Sequence, residues 1–461
     1  MTWPHWLLWL STLLGFGWPM THSVGLRNTL LACLVVACVF LYRRHAVGRM
    51  LSPSLAVPAK LYLVLSVWLL ATVLFADDPL DSLSEYRRDW VMGFIALMIG
   101  MMMARLASIN CLPGLNRMTL LASVGLGLAL PAVIQVCQSV FFFFQQHGSG
   151  QGLPLFNQDH VLAMWEASLF GRTSLSFVHN LLYGLLVADA LARANGAQRL
   201  LPIPKLALQA AFPLSFLCTY LLNTRNGTLG MLVITLFAAL IYWYQHRQRI
   251  NNRRLAVFAC AMLLVMGVYA KLSYDAEPRW PAFGESTQLA LDTQHQRAWL
   301  TDAIPRPRMS NGELAEHSAY MRLAWFKEGV LAIVDYPLGV GFGRNAFGHA
   351  LQRKYGEGRG RSHSHSGVVD FALSAGIPGL LLWFAVSASL WRLGWHAYFE
   401  KRDVVGLALV MLIAGTLLRM VVDSNLRDHG LEQYLFLLGV FTSLAATAMD
   451  SPAHAGRETP G

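Results

Sequence analysis

Residues Leu61 to Phe75 read LYLVLSVWLLATVLF, fifteen positions without one charged side chain. Runs of the same kind recur along the chain, among them Gly230 to Tyr244, Ala256 to Ala270 and Val404 to Leu418. A span of roughly 20 apolar residues crosses a bilayer as a helix, so each run reads as one membrane-spanning helix. The composition agrees: of 461 residues, 55% are hydrophobic and 13% charged, about half the charge of a typical soluble domain. The pattern predicts an all-α, polytopic membrane protein with about twelve transmembrane helices. They are expected near 4–19, 27–42, 59–75, 89–106, 118–143, 174–192, 205–222, 226–244, 255–271, 367–392, 404–421 and 430–449. The first run has no basic leader and is followed at once by a second, so it is read as a retained helix and not a signal peptide.

The distribution of Arg and Lys orients these helices. With the N-terminus inside, the inner loops collect Arg43, Arg44, Arg49, Lys60, Arg105, Arg117, Arg193, Arg199 and Lys205, then Arg247 to Arg254, then Arg392, Lys401 and Arg402. The short outer loops hold far fewer, which places both termini inside. The net charge of +10 is therefore a topology signal beside anionic lipid heads and calls for no nucleic acid. The six cysteines are scattered through membrane spans and an inner loop, so no disulfide framework is expected.

This topology divides the chain into transmembrane helices 1–9 over 1–270, a large outer loop over 271–366, helices 10–12 over 367–449 and an inner tail over 450–461. Long loops are where function concentrates. The first part of this one, Pro278 to Ser310, reads as irregular. Ser318 to Val334 then turns helical and amphipathic, with Met321, Trp325 and Phe326 apolar beside Arg322 and Lys327, a pattern suited to a membrane interface. Tyr336-Pro337-Leu338-Gly339 and Gly341-Phe342-Gly343 stop that helix. A second outer segment, Gln145 to Arg172, reads as re-entrant or interfacial, and a third, Ala76 to Asp89, carries Asp77, Asp78, Arg87 and Arg88.

Three outer clusters carry candidate chemistry. Leu222-Asn223-Thr224-Arg225-Asn226-Gly227 is a short polar turn that pins an arginine near the headgroups, either to bind an anion or simply to reach the interface. Arg322 stands on the loop helix, and a guanidinium binds phosphate through a planar, permanently charged fork. Arg361-Ser362-His363-Ser364-His365-Ser366-Gly367 precedes the tenth expected span. A histidine at a helix N-terminus is held neutral by the macrodipole, and neutral imidazole is what a general base must be. Two histidines without a nearby carboxylate are a weak metal set, and both are also readable as polar caps.

Thr224-Arg225-Asn226-Gly227, Arg322-Leu323-Ala324-Trp325 and His363-Ser364-His365-Ser366 leading to Gly376 closely resemble the O-antigen ligase and polymerase superfamily. Within it the best likeness is to the WaaL-type ligases, whose motif runs His-Asn/Ser/Gln, nine residues, Gly, two residues, Thr. Here the last position is Gly379. The resemblance implies a GT-C-type glycosyltransferase of the bacterial inner membrane with its active site facing the periplasm. Such enzymes move O-antigen polysaccharide from undecaprenyl diphosphate to lipid A core oligosaccharide, inverting the anomeric centre without a metal or other cofactor. By the same resemblance His365 is the base, Arg225 and Arg322 hold the diphosphate, and Arg172, in Gly171-Arg172 ahead of Val178-His179-Asn180, adds a phosphate or sugar contact. Arg87 and Arg88 are further binding candidates, with pairing to Glu85 and Asp89 as the plainer reading, and His363 supports His365. Asp77 and Asp78 occupy a loop where other GT-C enzymes keep metal-binding acids. An O-antigen polymerase, a protein O-oligosaccharyltransferase and a lipid-linked sugar transporter remain the competing readings.

Overall fold

The computed structural model describes residues 3–45, 47, 51–109, 112–148, 168–222, 224–247, 280–427 and 429–451, with isolated positions between 260 and 274. The membrane part is built from α1 (Trp3–Gly17), α2 (Val24–Arg44), α3 (Ala56–Thr72), α4 (Pro79–Glu85), α5 (Met92–Ser108), α6 (Arg117–Gly148), α7 (Arg172–Ala194), α8 (Lys205–Leu222) and α9 (Arg225–His246). After the loop helices α10 (Trp280–Ala290), α11 (His317–Asp335) and α12 (Ala346–Tyr355) come α13 (Gly367–Phe399), α14 (Val404–Val422) and α15 (His429–Asp450). No strand occurs among the described residues; isolated bridges join Met20 to Phe170 and Arg308 to Leu314.

Ten helical segments among the described residues are long and apolar enough to cross a membrane. Twelve were expected, and the difference lies in two places. The first run forms α1, but its 15 residues reach about 22 Å at 1.5 Å each, short of a hydrocarbon core. The expected span at 255–271 lies almost wholly outside the described residues, as does most of the expected outer segment 145–172. Pro79 to Ser108 forms one span, in which a π-helical turn at Tyr86–Val91 links α4 to α5.

Three helices are apolar around most of their circumference and are enclosed. α7 packs against α14, and α15 against α5 and α14, each of α7, α14 and α15 burying most of its surface, as helices without a polar face do. α2, α3, α8 and α9 instead turn Val36, Leu63, Val67, Leu206 and Leu240 outward. That outward apolar surface is what a lipid solvent requires.

The long loop folds into a small helical cap with its own core, formed by Trp299, Tyr320, Phe347, Leu351 and neighbours. One sequence expectation is corrected here. Trp280–Ala290 is helical and not irregular, because Leu289 and Ala290 join the cap core. α11 also packs one face into protein, while Phe326, Val330, Leu331 and Val334 stay exposed on the other. Tyr320, Met321, Ala324, Glu328 and Ala332 are buried, with α10 and α12 on one side and Val369 and Leu373 of α13 on the other. Two buried polar contacts brace the cap: Tyr320 Oη donates to the Gln296 carbonyl at 2.8 Å, and Tyr355 Oη to Glu328 Oε2 at 2.5 Å. Pairing of this kind is what allows a carboxylate such as Glu328 to sit inside.

The cap is locked to the bundle by a break in α13. Gly376 has φ 71° and ψ 174° inside an otherwise helical run, a conformation open essentially to glycine. The backbone groups released there are taken up elsewhere. Val340 N donates to the Leu373 carbonyl at 2.8 Å, Ile377 N to the Pro337 carbonyl at 2.8 Å, and Trp68 Nε1 to the Ala375 carbonyl at 2.7 Å. The Pro337–Val340 turn, which stops α11, thus also supplies the partners of the broken helix. This satisfies the rule that irregular backbone at membrane depth must be buried in protein.

Candidate functional site

The three motifs come together where the cap meets the bundle. α8 ends at Leu222 and α9 starts at Arg225, so the polar turn between them is nearly as tight as two antiparallel helices allow. Arg225 opens α9; its side chain and Asn223 lie outside the described residues. Asn226, the next residue, accepts from Arg322 of α11, Nη1 to Oδ1 at 3.3 Å. Arg322, Asn226 and His365 line a single cavity of about 1220 Å³, whose remaining wall is largely apolar, from Phe216 and Leu229 to Tyr242. Arg172 opens α7 and is not among the cavity-lining residues.

His365 stands in a left-handed backbone conformation, φ 61°, which costs a β-substituted residue on the order of 1–3 kcal/mol. The serines around it hold that geometry. Ser364 N donates to Asp370 Oδ1 at 2.8 Å, Ser366 N to Ser364 Oγ at 3.2 Å, and Ser366 Oγ to the Met420 carbonyl at 3.3 Å. Ser366 also caps α13 through Val369 N. The strained turn places the imidazole among rings: Trp325 lies nearly parallel to it, centroids 5.5 Å apart, and His363 meets it edge-on at 4.2 Å. Arg361 extends the stack over Trp325 at 5.8 Å.

Electrostatics keep this imidazole neutral. Burial, then His363, Arg322, Arg427 and His317, lower the His365 pKa to about 3. Burial strips the water that would solvate an imidazolium, and the guanidinium groups of Arg322 and Arg427 penalise a further positive charge. Arg427 was not singled out from the sequence. It sits in the connection between α14 and α15, where Asp423-Ser424-Asn425-Leu426-Arg427 interrupts two apolar runs much as Leu222 to Gly227 does, and that likeness was the available signal.

The remaining candidates fall elsewhere or serve structure. Arg88 pairs with Glu85 and Asp89, the plainer of its two sequence readings, and Arg87 is exposed on the π-helical turn. Asp77 binds Arg353 at 2.8 Å, which holds its carboxyl below the usual range. Asp78 caps α4 through Leu80 N and Asp81 N. No group of three or more potential metal ligands converges among the described residues.

Gly379, where the ligase motif has Thr, also has a structural account. A Cβ there would overlap Ala375 Cβ and press on the Trp68 indole, the same indole that satisfies the Ala375 carbonyl.

The fold and site define a polytopic helical membrane protein in which a helical cap and the membrane helices together line a largely apolar cavity that also holds Arg322, Asn226 and His365. Residues 210–384 match the model of a protein family described as O-antigen ligase, a match that supports a likeness to the O-antigen ligase and polymerase superfamily over that stretch. It contains Arg225, Arg322, His365 and the Gly376 break. Comparison with curated proteins gave no match.

Proposed function

We propose that the protein is an O-antigen ligase of the bacterial inner membrane, a GT-C-type glycosyltransferase whose cap, residues 271–366, faces the periplasm. Its donor is O-antigen polysaccharide on undecaprenyl diphosphate and its acceptor is lipid A core oligosaccharide. The reading rests on one observation above the others: Arg322, Asn226 and the uncharged His365 line one largely apolar cavity. An isoprenoid chain fits the apolar wall, and its anionic head would then lie against the guanidinium.

In a single inverting displacement the acceptor hydroxyl oxygen attacks the anomeric carbon. The bond from that carbon to the diphosphate oxygen breaks, and the leaving group departs with the electron pair. His365 takes the hydroxyl proton. Arg322 and Arg225 counter the charge that grows on the diphosphate, so both contributions are larger in the transition state than in the ground state. A positioned base supplies about 10² to 10⁴ in rate. Two fixed cations on the leaving group do the work for which other GT-C enzymes recruit a divalent ion.

The deciding experiment expresses the chain in a strain lacking its own ligase and reads lipopolysaccharide on a gel. Ladder-bearing lipopolysaccharide with this chain, and polymer left on undecaprenyl diphosphate without it, is the expected result. Longer lipid-linked polymer with no transfer to core would instead identify a polymerase. Movement of lipid-linked sugar with no new glycosidic bond would identify a transporter.

A further inference from the structure

We infer that Arg419, acting through Asn180, is a positioning residue that sets the Thr224–Gly227 turn, and with it Arg225, against the His365 segment. Arg419 lies in the last turn of α14 with its side chain 1% exposed. Its Nη2 reaches Asp423 Oδ2 at 2.7 Å, and Nη1 donates to the Ser176 carbonyl at 2.9 Å and to Asn180 Oδ1 at 3.0 Å. The other end of the same amide continues the chain: Asn180 Nδ2 donates to the Gly227 carbonyl at 3.2 Å. A parallel link runs from Thr224 Oγ1 to Ser176 Oγ at 3.0 Å. The turn and the start of α9 pack directly against this contact: a Cβ on Gly227 would overlap Ser176 Oγ and one on Gly230 would overlap the Asn180 amide.

The end of α14 that carries Arg419 also holds the histidine segment. The Asp423 carbonyl accepts from Gly367 N at 3.0 Å, and the Met420 carbonyl accepts from Ser366 Oγ. One buried ion pair therefore touches both halves of the site, which lie far apart in sequence. A charge pair at membrane depth is expensive to maintain, and a guanidinium is the side chain that can donate to a carboxylate, a carbonyl and an amide from one plane.

This inference rests on the proposed reaction, and its test separates the two. Full-length Asn180→Ala and Asn180→Asp keep the Arg419–Asp423 pair but remove the donor to Gly227. In purified protein with lipid-linked donor, both should raise donor KM about tenfold, and Asn180→Ala should add nothing in an Arg225→Ala background, since coupled residues are non-additive. Apparent melting temperatures should stay near that of the parent. Arg419→Lys, which keeps the charge and loses the fork, should reproduce the KM effect in part. Unchanged donor KM in both Asn180 variants, an effect that simply adds to Arg225→Ala, or loss of activity in step with loss of folding would each overturn the relay. Wild-type transfer by Arg225→Ala itself would overturn the reaction assignment instead.

Discussion

Trp325 and His365 lie face to face, their ring planes 15° apart, although one belongs to the cap helix α11 and the other to the turn before α13. The indole is itself fixed, since Trp325 Nε1 donates to the Trp299 carbonyl at 2.7 Å. The cap core therefore reaches the imidazole through a single aromatic plate. Such a plate excludes water from one face of the ring and limits its rotation.

Trp325→Ala should accordingly lower the rate of transfer at saturating donor by roughly 10- to 100-fold, the scale on which a misplaced catalytic group acts. Trp325→Phe keeps a ring face but not the hydrogen bond and should fall between. Single-turnover transfer with both variants checks this, and an alanine variant at the parental rate would remove the plate from the mechanism.

The pH dependence carries a sign that can be worked out. His365 has its folded pKa depressed to about 3 from an ordinary value near 6.5. Protons therefore bind the unfolded chain more readily, and the stability contributed by this group is present above about 6.5 and lost as pH falls toward 3. In the free enzyme the imidazole is already neutral across pH 5 to 8, so kcat/KM for donor should show no acid limb from His365 in that window. A bound diphosphate offsets the charge of Arg322 and Arg427, so the acid limb of kcat should appear at higher pH than that of kcat/KM. Superimposable limbs would refute the electrostatic account.

His365→Ala should abolish transfer while leaving donor binding within a few-fold, because the base contributes to the transition state and not to ground-state affinity. Arg322→Lys should rescue poorly, since a point charge does not reproduce the bidentate fork. Chelator should leave the wild-type rate intact, and a strict need for Mn²⁺ or Mg²⁺ would displace the arginines from their assigned role.

Gly376→Ala should lower the apparent melting temperature. The backbone conformation alone costs about 1–3 kcal/mol for a residue with a side chain, and the new methyl would overlap the Leu338 backbone. Gly379→Thr, the residue found in the ligase motif, should destabilise through Ala375 and Trp68. Thermal unfolding in detergent measures both, and an unperturbed Gly379→Thr would mean that the Trp68 contact yields easily.

The membrane class was legible because it follows from composition along one dimension: lipid admits long apolar helices, and their length can be counted. The motif residues were legible for a related reason. Arg225 in its six-residue polar turn and His365 at the head of a span stand out against an apolar background. α10 was missed because its apolar positions match no long periodic run and are satisfied by Trp299 and Phe347, which only the folded cap supplies. Arg419 was passed over because it reads as one polar residue at a helix end, and Asn180, noted only beside Arg172, gave no sign of its partner.

From the sequence alone came the helical membrane architecture, the positions of most spans and the residue types that suit diphosphate and proton transfer. The tertiary structure decided that Arg322 reaches Asn226, that Trp325 covers His365, and that the loop helices pack into a cap with its own core. The physical reason is that hydrophobicity and helix length are properties of neighbouring residues, whereas hydrogen bonds, stacking and desolvation depend on which distant segments meet. Arg419 gathers Asp423, Ser176 and Asn180 around one guanidinium, and nothing in the spacing of those residues specifies that they touch.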